Sequence, residues 1–72
     1  MTQAEQNDLD NWFKYHPATP ELVEKYNHVR ETSKELAKWL YDNVPNSADR
    51  TAAIRSLRRT VMDINLAIAC NT

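Results

Sequence analysis

Apolar residues recur along this chain at alternating spacings of four and three. The first run is Leu22, Tyr26, Val29, Ser33, Leu36 and Leu40; the second is Ile54, Leu57, Val61, Ile64 and Ile68. Each set falls along one face of a helix, so the spacing predicts two long helices. Between them, Val44-Pro45-Asn46-Ser47 supplies a stop and a start. Pro45 removes a backbone donor, and Asn46 or Ser47 can cap the next helix. Thr19-Pro20-Glu21 opens the first helix with a cap, a proline at the first position and an acid at the positive end of the dipole. The connector is short, so the helices are expected to lie antiparallel.

The expected organisation is therefore a single all-α hairpin domain spanning 1–72. It comprises a polar, frayed tail over 1–8, an arm over 9–19, and helices over 20–44 and 47–70. Pro17 and Pro20 discourage helix in the arm, because the residue before each proline is pushed toward extended geometry. One short helical turn from Asp8 to Phe13 is compatible with this pattern. Each long helix, at about 23 residues, would run roughly 35 Å.

The second helix changes character midway. Its first half carries Arg50, Arg55, Arg58 and Arg59, whereas Val61 to Cys70 is apolar on nearly every side. A helix apolar all round requires cover all round, and one neighbour cannot provide it. A chain of 72 residues also buries only about 60% of its unfolded surface. Small scaffolds compensate with disulfides, metal or self-association. The single cysteine, Cys70, has no partner within the chain, and no cysteine–histidine cluster has zinc spacing. Homo-oligomerisation is thus the expected route to stability.

Composition narrows the ligand classes. A net charge of −1 is poor for a general DNA binder, although a small anion needs only a few cations. No run approaches the roughly 18 apolar residues of a membrane span. The amino terminus lacks the basic-then-apolar order of a secretory signal, so a cytoplasmic setting is expected. With no glycine in the chain, phosphate-cradling glycine loops are excluded. No serine or cysteine stands near a base at a recognisable nucleophile spacing. The chain is accordingly expected to be no enzyme and to need no metal or cofactor.

The remaining candidate chemistry lies in an aromatic-plus-basic corner. Trp12-Phe13-Lys14-Tyr15-His16 precedes the first helix. Rings beside cations form a platform on which bases stack. For Trp12 and Phe13, covering the open end of the hairpin is the stronger reading; for Tyr15, covering and stacking are evenly matched. On the first helix, Arg30, Ser33 and Lys34 form a basic, hydroxyl-bearing stripe with Thr32 beside it. A guanidinium there suits a phosphate, or equally an ordinary ion pair. Other charges, such as Glu21 with Lys25 and Glu31 with Lys34, read as solvated pairs. Asn65 places an amide in the apolar half-helix, where it either fixes subunit register or meets a ligand.

The order of motifs resembles one family. Tyr15-His16-Pro17, then Tyr26 with Val29-Arg30 and Lys34-Glu35-Leu36-Ala37, then Val44-Pro45-Asn46-Ser47, then Val61-Met62 with Asn65 and Ala67-Ile68-Ala69 resembles the phage-encoded cyclic-oligonucleotide sponges that oppose CBASS immunity. Their hairpin is shared with a phage sponge of the Thoeris signal. The resemblance covers residues 12–72 and implies a compact homohexamer enclosing cyclic dinucleotides, such as cGAMP, without cutting them. It implies that the setting is the cytoplasm of an infected bacterium. It assigns base stacking to Tyr15, nucleotide contact to Arg30 and a hydroxyl contact to Thr32; His16, Lys34 and Asn65 complete the expected ligand-binding set. Some members also hold cyclic trinucleotides at a separate site. Here Cys70 replaces an arginine frequent in the family and Asp63 replaces a tryptophan, departures that bear on the trinucleotide site more than on the dinucleotide site. A sponge for a cyclic ADP-ribose signal and a structural coiled-coil adaptor are the competing functions.

Overall fold

The computed structural model describes all residues from Met1 to Thr72. It is all-helical: α1 spans Gln3–Trp12, α2 spans Pro20–Asn43 and α3 spans Ala48–Cys70. Helices α2 and α3 form the hairpin, while α1 touches it only lightly. The molecule measures 48 × 32 × 13 Å, and its thin dimension is close to the roughly 10–12 Å diameter of one helix.

The amino-terminal segment departs from expectation. Instead of a frayed polar tail, residues 3–12 form a full helix. The reason is a capping box: the Thr2 hydroxyl accepts from the Glu5 backbone N–H at 3.1 Å, and the Thr2 N–H donates to Glu5 Oε1 at 2.8 Å. Gln3 Nε2 donates to Asn7, and Gln6 Nε2 to Asp10, each at 2.8 Å one turn on. Such local bonds make a helix out of a sequence with almost no apolar face. The bond from the Thr2 N–H, then that of its side chain, holds the Glu5 carboxyl below its ordinary value of 4.5.

The long helices begin at hydroxyl caps. Thr19 Oγ1 accepts from the Leu22 N–H, with Pro20 at the first helical position. Ser47 Oγ accepts from the Arg50 N–H at 3.1 Å. Val44 turns extended and closes α2 by donating its N–H to Leu40. The turn between α2 and α3 is clamped by Arg50, whose guanidinium donates to the carbonyls of Tyr41 and Val44 and to Asn46 Oδ1. The two carbonyls are orphan acceptors at the negative end of α2, where a cation is favoured.

The seam between α2 and α3 follows a straighter helix than a strict heptad would. On α2 the half-buried positions are Leu22, Tyr26, Val29, Ser33, Ala37 and Leu40, followed by Val44. On α3 they include Arg50, Ile54, Leu57, Val61, Asn65 and Ile68. Ala37 and Asn65 thus occupy places that a seven-residue repeat assigns to Leu36 and Ile64. The latter are 48% and 38% exposed. Two helices that do not supercoil drift off the heptad by about 20° per repeat, and the drift turns Leu36 and Ile64 outward.

No residue of the single chain is fully buried. Met62 and Leu66, in the apolar half of α3, remain 65% and 60% exposed, and Trp39 remains 57% exposed. No helix is long and apolar enough to cross a membrane.

Candidate functional site

The concavities relevant to the expected site gather at the open end of the hairpin, where the start of α2 meets the end of α3. In the first, of about 450 Å³, Tyr15, His16 and Pro17 meet Lys14, Lys25, Glu21, Thr19, Leu22, Ala69 and Thr72. The Tyr15 ring stands 85% exposed. It therefore adds little to the hairpin's own burial, and its π-face is open. Lys25 is a cation that the sequence reading paired with Glu21. One signal could have revealed it: it lies one turn before Val29 and faces the same end of the helix as the arm.

The second concavity, about 550 Å³, is lined by Tyr26, Arg30, Met62, Asn65, Leu66 and Ala69. Arg30 and Asn65, far apart in sequence, are brought together here. Arg30 Nη1 donates only a long bond, 3.3 Å, to Asn27 Oδ1, which leaves most of its five donors uncommitted. Asn65 Oδ1 is buried without a hydrogen-bond partner. An orphaned buried amide oxygen is costly, so native structures rarely keep one without a use.

Ala69 lines both concavities. Its small side chain, on the last turn of α3, separates the stacking corner from the arginine corner.

Two expected residues stand elsewhere. Thr32 lies two positions from Arg30, which on a helix is a rotation of about 200°, and it borders neither concavity. Lys34 shares the Arg30 face one turn on but also lies outside both. A single chain thus gathers Tyr15 with His16, and Arg30 with Asn65, and leaves Thr32 and Lys34 apart.

His16 is engaged. Its Nε2–H donates to the Asn11 carbonyl at 2.7 Å, and Asn11 Nδ2 donates to the Cys70 carbonyl at 2.9 Å. Cys70 Sγ sits 3.7 Å from the same imidazole nitrogen. A third concavity, about 440 Å³, opens beside Cys70 between Trp12, Phe13, Leu66, Ala67 and Asn71. It contains no cationic side chain. No three His, Cys, Asp or Glu side chains converge as metal ligands would.

A family model described as the Acb2/Tad1 hairpin domain matches residues 5–69. The chain belongs to this family. Its members are sponges, proteins that bind signalling molecules, and the Acb2/Tad1 hairpin is the all-helical unit seen here. The match begins within α1 and ends at Ala69, so it takes in Tyr15, Arg30 and Asn65 together. No curated protein and no solved structure matches the chain.

Proposed function

We propose that this Acb2/Tad1 hairpin protein sequesters cyclic dinucleotides, cGAMP among them, without cleaving them, and so blunts CBASS defence in the cytoplasm of an infected bacterium. The observation that carries the reading is the paired arrangement around Ala69. One side offers an exposed tyrosine face with two lysines and one carboxylate, Glu21; the other offers a largely free guanidinium with an amide. A cyclic dinucleotide presents the same two needs, flat bases and anionic phosphates. Stacking contributes roughly 1–3 kcal/mol per base, and arginine grips phosphate through a bidentate fork. A sponge needs affinity and slow release, not turnover, and no acid–base pair is required for that.

The functional unit in this proposal is a homo-oligomer, with the hexamer as the expected size. Support comes from the absence of any buried residue and from the outward Met62, Leu66, Leu36 and Trp39. Tyr15 and Arg30 line different concavities of one chain, so a neighbouring copy would complete the enclosure. Thr32 and Lys34 enter the site only where such a copy brings them opposite the ligand. The concavity beside Cys70 lacks a cation, which argues against a second anionic ligand there.

Native mass spectrometry against a panel of cyclic dinucleotides, cyclic trinucleotides and cyclic ADP-ribose isomers tests the reading. The expected result is an oligomer retaining a dinucleotide that is recovered intact after heat denaturation. Retention of a cyclic ADP-ribose alone would move the function to the Thoeris signal. An assembly that retained none of the panel would point to a protein adaptor, and recovery of cleaved ligand would make the protein an enzyme.

A further inference from the structure

We propose that His16 and Asn11 are positioning residues for Tyr15, forming a latch that fixes the backbone carrying the stacking ring before any ligand arrives. The inference rests on the sponge reading for its consequence, and on hydrogen bonds of the chain for its substance. Tyr15 lies in a stretch without regular secondary structure, between Trp12 and Pro20. Its ring is 85% exposed, so packing does little to orient it. An irregular segment that must be ordered on binding offsets part of the stacking energy with lost backbone freedom.

The latch reduces that cost by holding the backbone on both sides of Tyr15. The Asn11 carbonyl can only accept, so the 2.7 Å contact requires the hydrogen on His16 Nε2. That bond closes the segment from Asn11 to His16 into a loop with Tyr15 just inside its end. The Asn11 side chain then ties the loop to the hairpin, donating to the Cys70 carbonyl at 2.9 Å. That carbonyl is one of the orphan acceptors of the last turn of α3. Cys70 Sγ, 3.7 Å from Nε2, is a second and weaker acceptor for the same hydrogen. Beyond the ring, Pro17 restricts His16 to extended backbone. Asn11 and His16 are both half-buried, in contrast to their exposed neighbours Trp12 to Tyr15.

This assigns His16 a role different from ligand contact. Nε2 is committed to Asn11, and in the neutral ring with its hydrogen there, Nδ1 has none to donate to a phosphate; the side chain acts through its neighbour. Asn11 is the residue that sequence reasoning missed; its amide is informative only once the end of α3 is known to lie beside it.

The test uses the full chain labelled with nitrogen-15 and reads the Tyr15 amide. In the ligand-free protein, its heteronuclear NOE should match that of the helices in the wild type and in His16→Gln, which keeps a donor. It should fall to that of a mobile loop in His16→Phe and Asn11→Ala, with helicity unchanged by circular dichroism. In calorimetry with 3′,3′-cyclic GMP–AMP, His16→Phe should weaken binding by roughly three- to tenfold, and His16→Gln should restore it. In a Tyr15→Leu background the same His16→Phe change should have no further effect. An equal loss in that background would mean that His16 touches the ligand itself, and an amide NOE indifferent to His16→Phe would remove the latch. If the wild type binds no cyclic dinucleotide, the sponge reading fails, while the amide measurement still decides whether the latch exists.

Discussion

The guanidinium of Arg50 lies over the Tyr41 ring, 5.1 Å from its centroid, while its nitrogens reach the carbonyls at the end of α2. One side chain from the first turn of α3 thus closes the preceding helix and stacks on it. Cation and ring are in the range where such contacts contribute. Arg50→Ala should lower stability by about 1–2 kcal/mol, combining lost charge-assisted bonds and the lost cation at the helix end. Arg50→Lys should recover less than half, since an ammonium lacks the planar, pre-organised fork and the stacking face of a guanidinium. Urea denaturation followed by circular dichroism reads both.

Asn65 should show opposite signs in two measurements. Its amide oxygen is buried and unpaired, so Asn65→Leu, with the same branching of heavy atoms, should stabilise the hairpin by about 1 kcal/mol. The same change removes a polar group from the concavity it shares with Arg30 and should weaken cyclic dinucleotide binding. Thermal melts and calorimetry on one sample separate the effects; a variant that loses stability would show that the amide is satisfied in solution.

The cap of α1 makes that helix sensitive to acid. Glu5 has a lowered pKa in the folded chain because the Thr2 N–H donates to it. Its contribution is therefore complete above the unfolded value of 4.5 and is lost as pH falls through the lower folded value. Carbon-13 secondary shifts of residues 3–8 should decline in that window. Glu5→Gln should remove the dependence, and Thr2→Ala should fray the helix at every pH.

Tyr15→Ala should cost roughly ten- to hundredfold in dinucleotide affinity, the worth of one stacked base. Arg30→Glu, which replaces a phosphate-binding cation by a repelling charge, should cost at least as much. Both residues are exposed, so folding should survive, and unchanged affinity in calorimetry would withdraw either assignment.

Leu66 borders both the arginine concavity and the one beside Cys70 and is 60% exposed. Leu66→Glu should place a charge where the proposed assembly needs apolar contact. Sedimentation velocity should then show smaller species than the wild type, with binding reduced in parallel. A wild type that sediments as a single folded chain would remove the oligomer from the proposal.

Much of the fold was readable because helix signals are local. Thr19-Pro20-Glu21 and Pro45-Asn46-Ser47 mark starts and stops with residues whose chemistry leaves few alternatives. The capping box at Thr2 and Glu5 was equally local, yet a segment with so few apolar residues offers no periodicity to draw attention to it. The seam was harder. Choosing Leu36 over Ala37, or Ile64 over Asn65, assumes that the helices coil around each other, and hydrophobicity favours the wrong member of each pair. For the site, Tyr15 and Arg30 stood out as residue types. Their separation into two concavities around Ala69, and the use of His16 by Asn11, depend on where the ends of α2 and α3 meet.

A body 13 Å through is one layer of helices, with two outsides and no interior. Whatever approaches either side can touch the residues that keep α2 against α3. Pressure to recognise a new molecule and pressure to remain folded therefore act on the same few positions, and a sequence drifting under one is steered by the other.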